Sequence, residues 1–237
     1  MFIKTKARYL AALIPFIAEE ENRYYLNGIN VKPMPEGGIR IAATDGHALG
    51  VIYDADGEAD KEYILEINKT RIISKVLLDA FAEDITVDHF DGETVTEILD
   101  LADNIIIENG MAIIFKHRNS GILESVKCDT LDGTFPDIRK VFDKCRIGAE
   151  LKYFAVNTEI LNKFSAAAKI LTGRISPHIK MYWSGGKDDH ENNVDPAFVL
   201  LRSPLFYGAI MPVMVNGCEY PAPEIPSWLL TPTEKEK

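Results

Sequence analysis

No apolar run in the sequence approaches the roughly eighteen residues of a membrane-spanning helix. The opening residues, Met1 to Lys6, lack a signal-peptide cleavage pattern, so a cytoplasmic location is expected. Cysteine is scarce: Cys128, Cys145 and Cys218 are an odd number at wide spacings, with no CxxC pair to suggest zinc or a redox couple, and reduced thiols are expected. A Gly-rich phosphate loop, HExxH and GxSxG are all absent, so neither catalytic residues nor a cofactor or metal is expected. Positive charge is also short, 26 Lys and Arg against 36 Asp and Glu, for a net charge of −10. That balance argues against a nucleic-acid partner unless the cations are gathered in one place.

What is present, an apolar share of 46% over 237 residues, is enough to fill a core in one large or two modest domains. Apolar residues recur at helical spacing over Lys6 to Glu20, with Pro15 as a bend, over Lys69 to Phe81 behind Asn68, and over Thr158 to Leu171 between Asn157 and Gly173. Alternating β-branched and aromatic runs predict strands over Arg23–Ile29, Ile39–Ala43, Leu49–Tyr53, Tyr63–Ile67, Asn104–Ile107, Ala112–His117 and Gly121–Cys128. Further strands are predicted over Leu151–Val156, His178–Trp183, Ala197–Arg202 and Leu205–Val213. The order strand, helix, then several antiparallel strands occurs three times, a degenerate repeat of roughly 75 residues. An α+β fold with helices on one face of antiparallel sheets follows. Two units are expected to form a first domain, 1–146, one unit a smaller second domain, 147–217, and 218–237 a Pro-rich tail. The polar stretch Ser184 to Asp195 reads as a loop between strands.

The cations are not spread evenly. On the second helix Lys69, Arg71 and Lys75 outnumber Asp79; on the third Lys163, Lys169 and Arg174 outnumber Glu159. A solvated helix face is the plain reading, and a surface facing a polyanion is the sharper one. Two carboxylate and histidine groupings read as structure rather than chemistry. Asp45-Gly46-His47 is a turn between strands, and Asp188-Asp189-His190-Glu191 is a solvated acidic loop.

The segment Arg23-Tyr24-Tyr25-Leu26-Asn27-Gly28, followed by Ile41-Ala42-Ala43-Thr44-Asp45-Gly46-His47-Ala48-Leu49, resembles the middle domain of the bacterial DNA polymerase III beta subunit, the beta sliding clamp. Three more stretches are similar to that family in the same order: Leu131 to Lys140 to its interdomain linker, Val156 to Leu171 to its last helix, and Tyr207 to Val213 to its terminal strand. The likeness covers Lys6 to Val215. Family rings contain twelve helix-bearing half-units, and three are read in this chain. The resemblance therefore implies a DNA-clamp fold assembling as a homotetrameric ring, with a trimer as the alternative should the repeats be undercounted.

The same resemblance implies a sliding clamp that encircles double-stranded DNA without sequence preference and binds DNA polymerase and clamp loader through short peptides. Lys69, Arg71, Lys75, Lys163, Lys169 and Arg174 would line the DNA channel. Thr44, Gly46, His47, Leu49, Pro136, Ala209, Met211 and Val213 match the family's partner-peptide pocket. Ala48 stands where the family has arginine, and the tail piece Ile225 to Leu230 is apolar enough to occupy that pocket in its own or a neighbouring subunit. The rival reading is a clamp-fold interaction protein or regulator of the replication machinery that does not encircle DNA.

Overall fold

In the computed structural model, residues 1–67, 104–115, 122–143, 156–172, 179–182, 196–201 and 206–211 are described. The second predicted helix, most of the strand Leu151–Val156, the Ser184 to Asp195 stretch, both domain boundaries and the tail lie outside these residues. Among the described residues no helix is long and apolar enough to cross a membrane.

The chain begins with β1 (Phe2–Lys6), which runs directly into α1 (Ala7–Leu13). The helix is shorter than its periodicity predicts. Pro15 lacks the amide that would continue the α-helical ladder, and the chain tightens to a 3-10 turn at Ile14–Phe16 before extending at Ile17. A second departure falls at Arg23–Ile29, predicted as one strand. Tyr24–Leu26 is a 3-10 turn and β2 starts only at Ile29, ending at Pro33. Side-chain bonds hold the curl. Glu20 accepts from Arg23 Nε at 2.7 Å, and Asn27 Nδ2 donates to the Glu20 carbonyl at 2.8 Å. Such local bonds offer the backbone an alternative to a sheet ladder.

The strands β3 (Ile39–Thr44), β4 (Ala48–Asp54), β5 (Glu58–Ala59) and β6 (Tyr63–Leu65) follow, and then β7 (Asn104–Glu108), β8 (Met111–Phe115) and β9 (Ile122–Lys127). A short α2 (Arg139–Phe142) precedes α3 (Thr158–Thr172), β10 (Lys180–Tyr182), β11 (Ala197–Leu201) and β12 (Phe206–Ile210). Every pairing among them is antiparallel. Among the described residues one sheet has five strands in the order β5-β1-β7-β8-β9, the other seven in the order β10-β11-β12-β4-β3-β2-β6. The opening strands of the first two units are exchanged: β1 pairs with β7 of the second unit, and β6 pairs with β2 of the first. The third unit's strands extend the first unit's sheet, through Tyr207↔Val51 and Ala209↔Leu49.

Alternation along the seven-stranded sheet separates two cores. Ile39, Ile41, Ala43, Ile52, Phe206 and Ile210 face the helices and belong to the main core with α1 and α3. Phe16, Phe164 and Phe206 meet there, with ring centroids 4.9 Å apart for Phe16–Phe164 and 6.2 Å for Phe164–Phe206. Each such pair adds about 0.5–1.5 kcal/mol beyond area burial. Rings fit this close to the sheet because the register sets Gly208 opposite Gly50. A Cβ on Gly208 would lie 2.4 Å from Phe164 Cε1. The α3 helix forms as predicted, its Asn157 side chain accepting the Glu159 amide at 2.8 Å, with Glu159 in the first turn and Lys169 in the last to suit the macrodipole. The whole of α1 is buried, Arg8 included.

On the opposite face Ala42, Leu49, Val51 and Ala209 form a smaller core with Phe135 and Ile138. These two come from the segment that leaves β9, joins the sheet edge through the Leu65↔Thr130 bridge, and crosses the outer face into α2.

Candidate functional site

The crossing segment leaves a cavity of about 210 Å³ beside it, at the seam where β12 meets β4. The seam itself supplies Leu49 and Ala209, outward on paired strands, and Met211 just beyond β12. The β3–β4 turn supplies Thr44, Gly46, His47 and Ala48; the crossing segment supplies Pro136, Ile138 and Val141. Arg23, Tyr25, Leu26 and Pro196 complete the lining.

The turn owes its shape to side-chain bonds. Asp45 Oδ1 accepts from the amides of His47 at 2.9 Å and Ala48 at 2.8 Å, and Thr44 Oγ1 donates to the Ala48 carbonyl at 2.7 Å. Gly46 takes φ +88°, where a side chain is strained, and lies under the Arg23 guanidinium. The wall is then joined to the strand across the seam by the Met211 amide, which donates to the His47 carbonyl at 2.9 Å. Asp45 therefore works as a turn-former. Its carboxylate is engaged by backbone, and His47 presents an exposed ring at the cavity.

The second carboxylate oxygen, Asp45 Oδ2, accepts from Lys163 Nζ of α3, and this bond ties the turn to the helix layer. Both side chains are mostly buried, Lys163 21% and Asp45 16% exposed. Burial pushes the Asp45 carboxyl up, but the bonds from Lys163 and from the Ala48 and His47 amides outweigh it and hold the group below its ordinary value.

Seven of the eight residues expected at a peptide pocket, Thr44, Gly46, His47, Leu49, Pro136, Ala209 and Met211, thus lie around one cavity. Val213 lies outside the described residues. Of the expected channel cations, Lys69, Arg71, Lys75 and Arg174 also lie outside them. Lys163 is neutralised by Asp45. Lys169 shares a partly exposed stripe of α3 with Asn162, Ser165 and Thr172. The lining residues that sequence reading did not assign to the pocket include Ile138 and Val141, whose i, i+3 spacing after Pro136 marks one apolar face of a short helical turn. Nothing in the sequence around Pro196 places it here.

No protein-family model matches the chain, and no curated protein matches it in sequence. Solved structures do match. The DnaN sliding clamp (DNA polymerase III subunit beta) from Bartonella birtlesii, bound to griselimycin, aligns with a TM-score of 0.52 at 16% identity, over 90% of this chain and 66% of that one. The DNA polymerase beta subunit of Streptococcus pyogenes aligns at 0.49 and 13% identity, over 89% and 65% of the two chains. That of Thermotoga maritima aligns at 0.49 and 10%, over 93% and 66%. These neighbours are consistently bacterial polymerase III beta clamps, and the chain spans just under two-thirds of their length. The fold is the α+β sliding-clamp fold.

Proposed function

We propose that this chain, with its sliding-clamp fold, is a clamp subunit that encircles duplex DNA and holds a polymerase to it by a short peptide seated at the β4–β12 seam. One observation carries this reading: the seam cavity is small, mostly apolar and rimmed by Thr44, His47 and the exposed Met211, which suits a few apolar peptide side chains and an adaptable fit. A tether of this kind converts rebinding into an intramolecular event at high effective concentration, with no bond made or broken. The peptide would come from a polymerase or a loader.

Closure as a homotetramer rests on the count of three half-units per chain, and a trimer is the alternative. The two-domain division, 1–146 and 147–217, belongs to the same proposal. The DNA-facing cations would be Lys69, Arg71, Lys75, Lys169 and Arg174, with Lys163 engaged by Asp45 when no DNA is present. Light scattering tests the ring, with a mass four times that of the chain expected. Retention on circular but not linear DNA tests sliding. A monomer that is released equally from both would sink the proposal.

A second reading, a clamp-fold regulator that binds the replication machinery without encircling DNA, draws support from the charge. The chain carries −10 overall, and Lys163 is paired. Binding of partner peptides with no topological retention on circular DNA would select it.

A further inference from the structure

The crossing segment divides the outer face of the seven-stranded sheet, and a second, larger cavity of about 610 Å³ lies on its other side. Ile138 borders both cavities. The strand alternation that points Leu49 and Ala209 into the first compartment points Val51 and Tyr207, two residues along each strand, into the second. Phe142 and Phe198 stand there with ring centroids 6.0 Å apart, and Phe198 and Tyr207 at 6.2 Å, an aromatic wall open to a flat or branched side chain.

Five charged residues line this compartment, the cations Lys32, Arg40 and Arg139 against the carboxylates Glu36 and Asp143, and of these Arg40 is the one set most deeply among the apolar groups. Arg40, on β3, is half-buried in its lining; one Nη donates to Asn30 Oδ1 at 2.9 Å, and its Nε is buried with no hydrogen-bond partner. Glu62, whose charge acts on Arg40, is itself held by Lys32 at 2.7 Å and by Asn30 at 3.0 Å. Burial lowers the Arg40 pKa from its ordinary value; the charges of Glu62 and Asp137 oppose the shift and the like charge of Arg139 adds to it. The buried Nε is closed to a ligand, so a carboxylate entering the compartment would meet the Nη groups, and a guanidinium is best answered by a carboxylate.

We propose that this compartment is a second docking site, taking an acidic residue flanked by large apolar ones from the same partner peptide that occupies the seam cavity. The carboxylate meets Arg40, and the apolar side chain lies against Phe142, Phe198 and Tyr207. The inference rests on the peptide-docking reading of the seam and extends it to a longer, bipartite ligand. Occupancy of both compartments would place the peptide across Ile138.

Methyl NMR on the full chain separates the two sites, because Met34 lines the second compartment and Met211 the first. The probes are three synthetic peptides: an apolar leucine–phenylalanine pentapeptide, the same pentapeptide extended by glutamate–tryptophan–glutamate, and the extension with both glutamates replaced by glutamine. The pentapeptide should move Met211 alone, and the acidic extension should move Met34 as well and bind about ten-fold tighter or more than the glutamine form. Arg40→Gln should abolish that difference without changing the pentapeptide's affinity, and Arg40→Lys should restore part of it. The comparison of glutamate and glutamine probes uses the unaltered protein, so a folding defect in the variant does not decide the matter. Equal binding of those two probes, no response at Met34, or an equal response of Met34 to acetate alone would overturn the second site. Failure of Met211 to respond, with Met34 still responding to the acidic probe, would overturn the seam reading and leave the Arg40 site standing as a single acidic-peptide site.

Discussion

Breaking the Lys163–Asp45 bond tests how the β3–β4 turn is held to the helix layer. Lys163→Met keeps the length of the stem and removes the cation; Asp45→Asn keeps the Oδ1 acceptor for the His47 and Ala48 amides and removes the charge. Hydrogen bonds to charged groups contribute about 1.5–3 kcal/mol, and with both side chains mostly buried little is lost to solvent screening. A coupling of ~2 kcal/mol is expected in a double-mutant cycle, read by urea unfolding, and each single variant should lose about 4–8 °C in Tm. The pH dependence has a definite sign. The carboxyl is depressed in the folded state, so its contribution is complete above its ordinary value of 3.8 and is lost as pH falls through the lower folded value. In Lys163→Met, burial acts on Asp45 without its main counterweight, so acid unfolding should begin at higher pH than in the unaltered chain. Additivity of the two substitutions within about 0.5 kcal/mol, or an unchanged acid limb, would refute the coupling.

Gly208→Ala should destabilise the chain by about 1–3 kcal/mol in chemical denaturation, because the new methyl would meet Phe164 at 2.4 Å and the Leu49 carbonyl at 3.0 Å; a neutral result would mean that α3 can shift off the sheet at little cost. Ala209→Trp should fill the seam cavity and remove binding of an apolar pentapeptide in fluorescence anisotropy while leaving the far-UV spectrum intact; unchanged affinity would place the peptide elsewhere. Cys128, whose thiol burial and the neighbouring Asp129 charge push up to about 12, should resist alkylation at pH 8 in the folded chain and react once urea unfolds it, as mass spectrometry of the modified peptide would show.

The sequence was most legible where a local signal and its tertiary setting agree. The alternation over Ile39–Ala43 and Leu49–Tyr53 gave β3 and β4 nearly to the residue, and Asn157 marked the start of α3. Asp45-Gly46-His47 read correctly as a turn because an Asx side chain and a glycine at positive φ are local requirements. Arg23–Ile29 misled for the complementary reason. Its aromatic alternation fits a strand, but Glu20 and Asn27 draw the chain into a curl through bonds that no periodicity records. The partner of Lys163 was not legible either. On a helix diagram this lysine is one of several outward cations, and only the packing of α3 against the β3–β4 turn reveals the carboxylate waiting for it. The Arg40 compartment had no sequence signal, since it is assembled from β2, β3, β4, β11, β12 and α2.

The exchange of β1 and β6 between the first two units constrains how the polypeptide reaches its native state. The five-stranded sheet needs Phe2 opposite Glu108, and the Leu65↔Thr130 bridge adds a second, shorter long-range pairing. The five-stranded sheet cannot be completed until the nascent chain has emerged past the second unit, so one edge of the opening strand, whose other edge meets β5, must wait for a partner about a hundred residues downstream. Long-range pairing of this kind slows folding and makes it cooperative across both units. A cut between β6 and β7 would still leave two fragments able to associate through the β1–β7 and β4–β12 pairings, whereas deletion of Phe2–Lys6 would unpair β7 from β1 and leave no fragment to replace it.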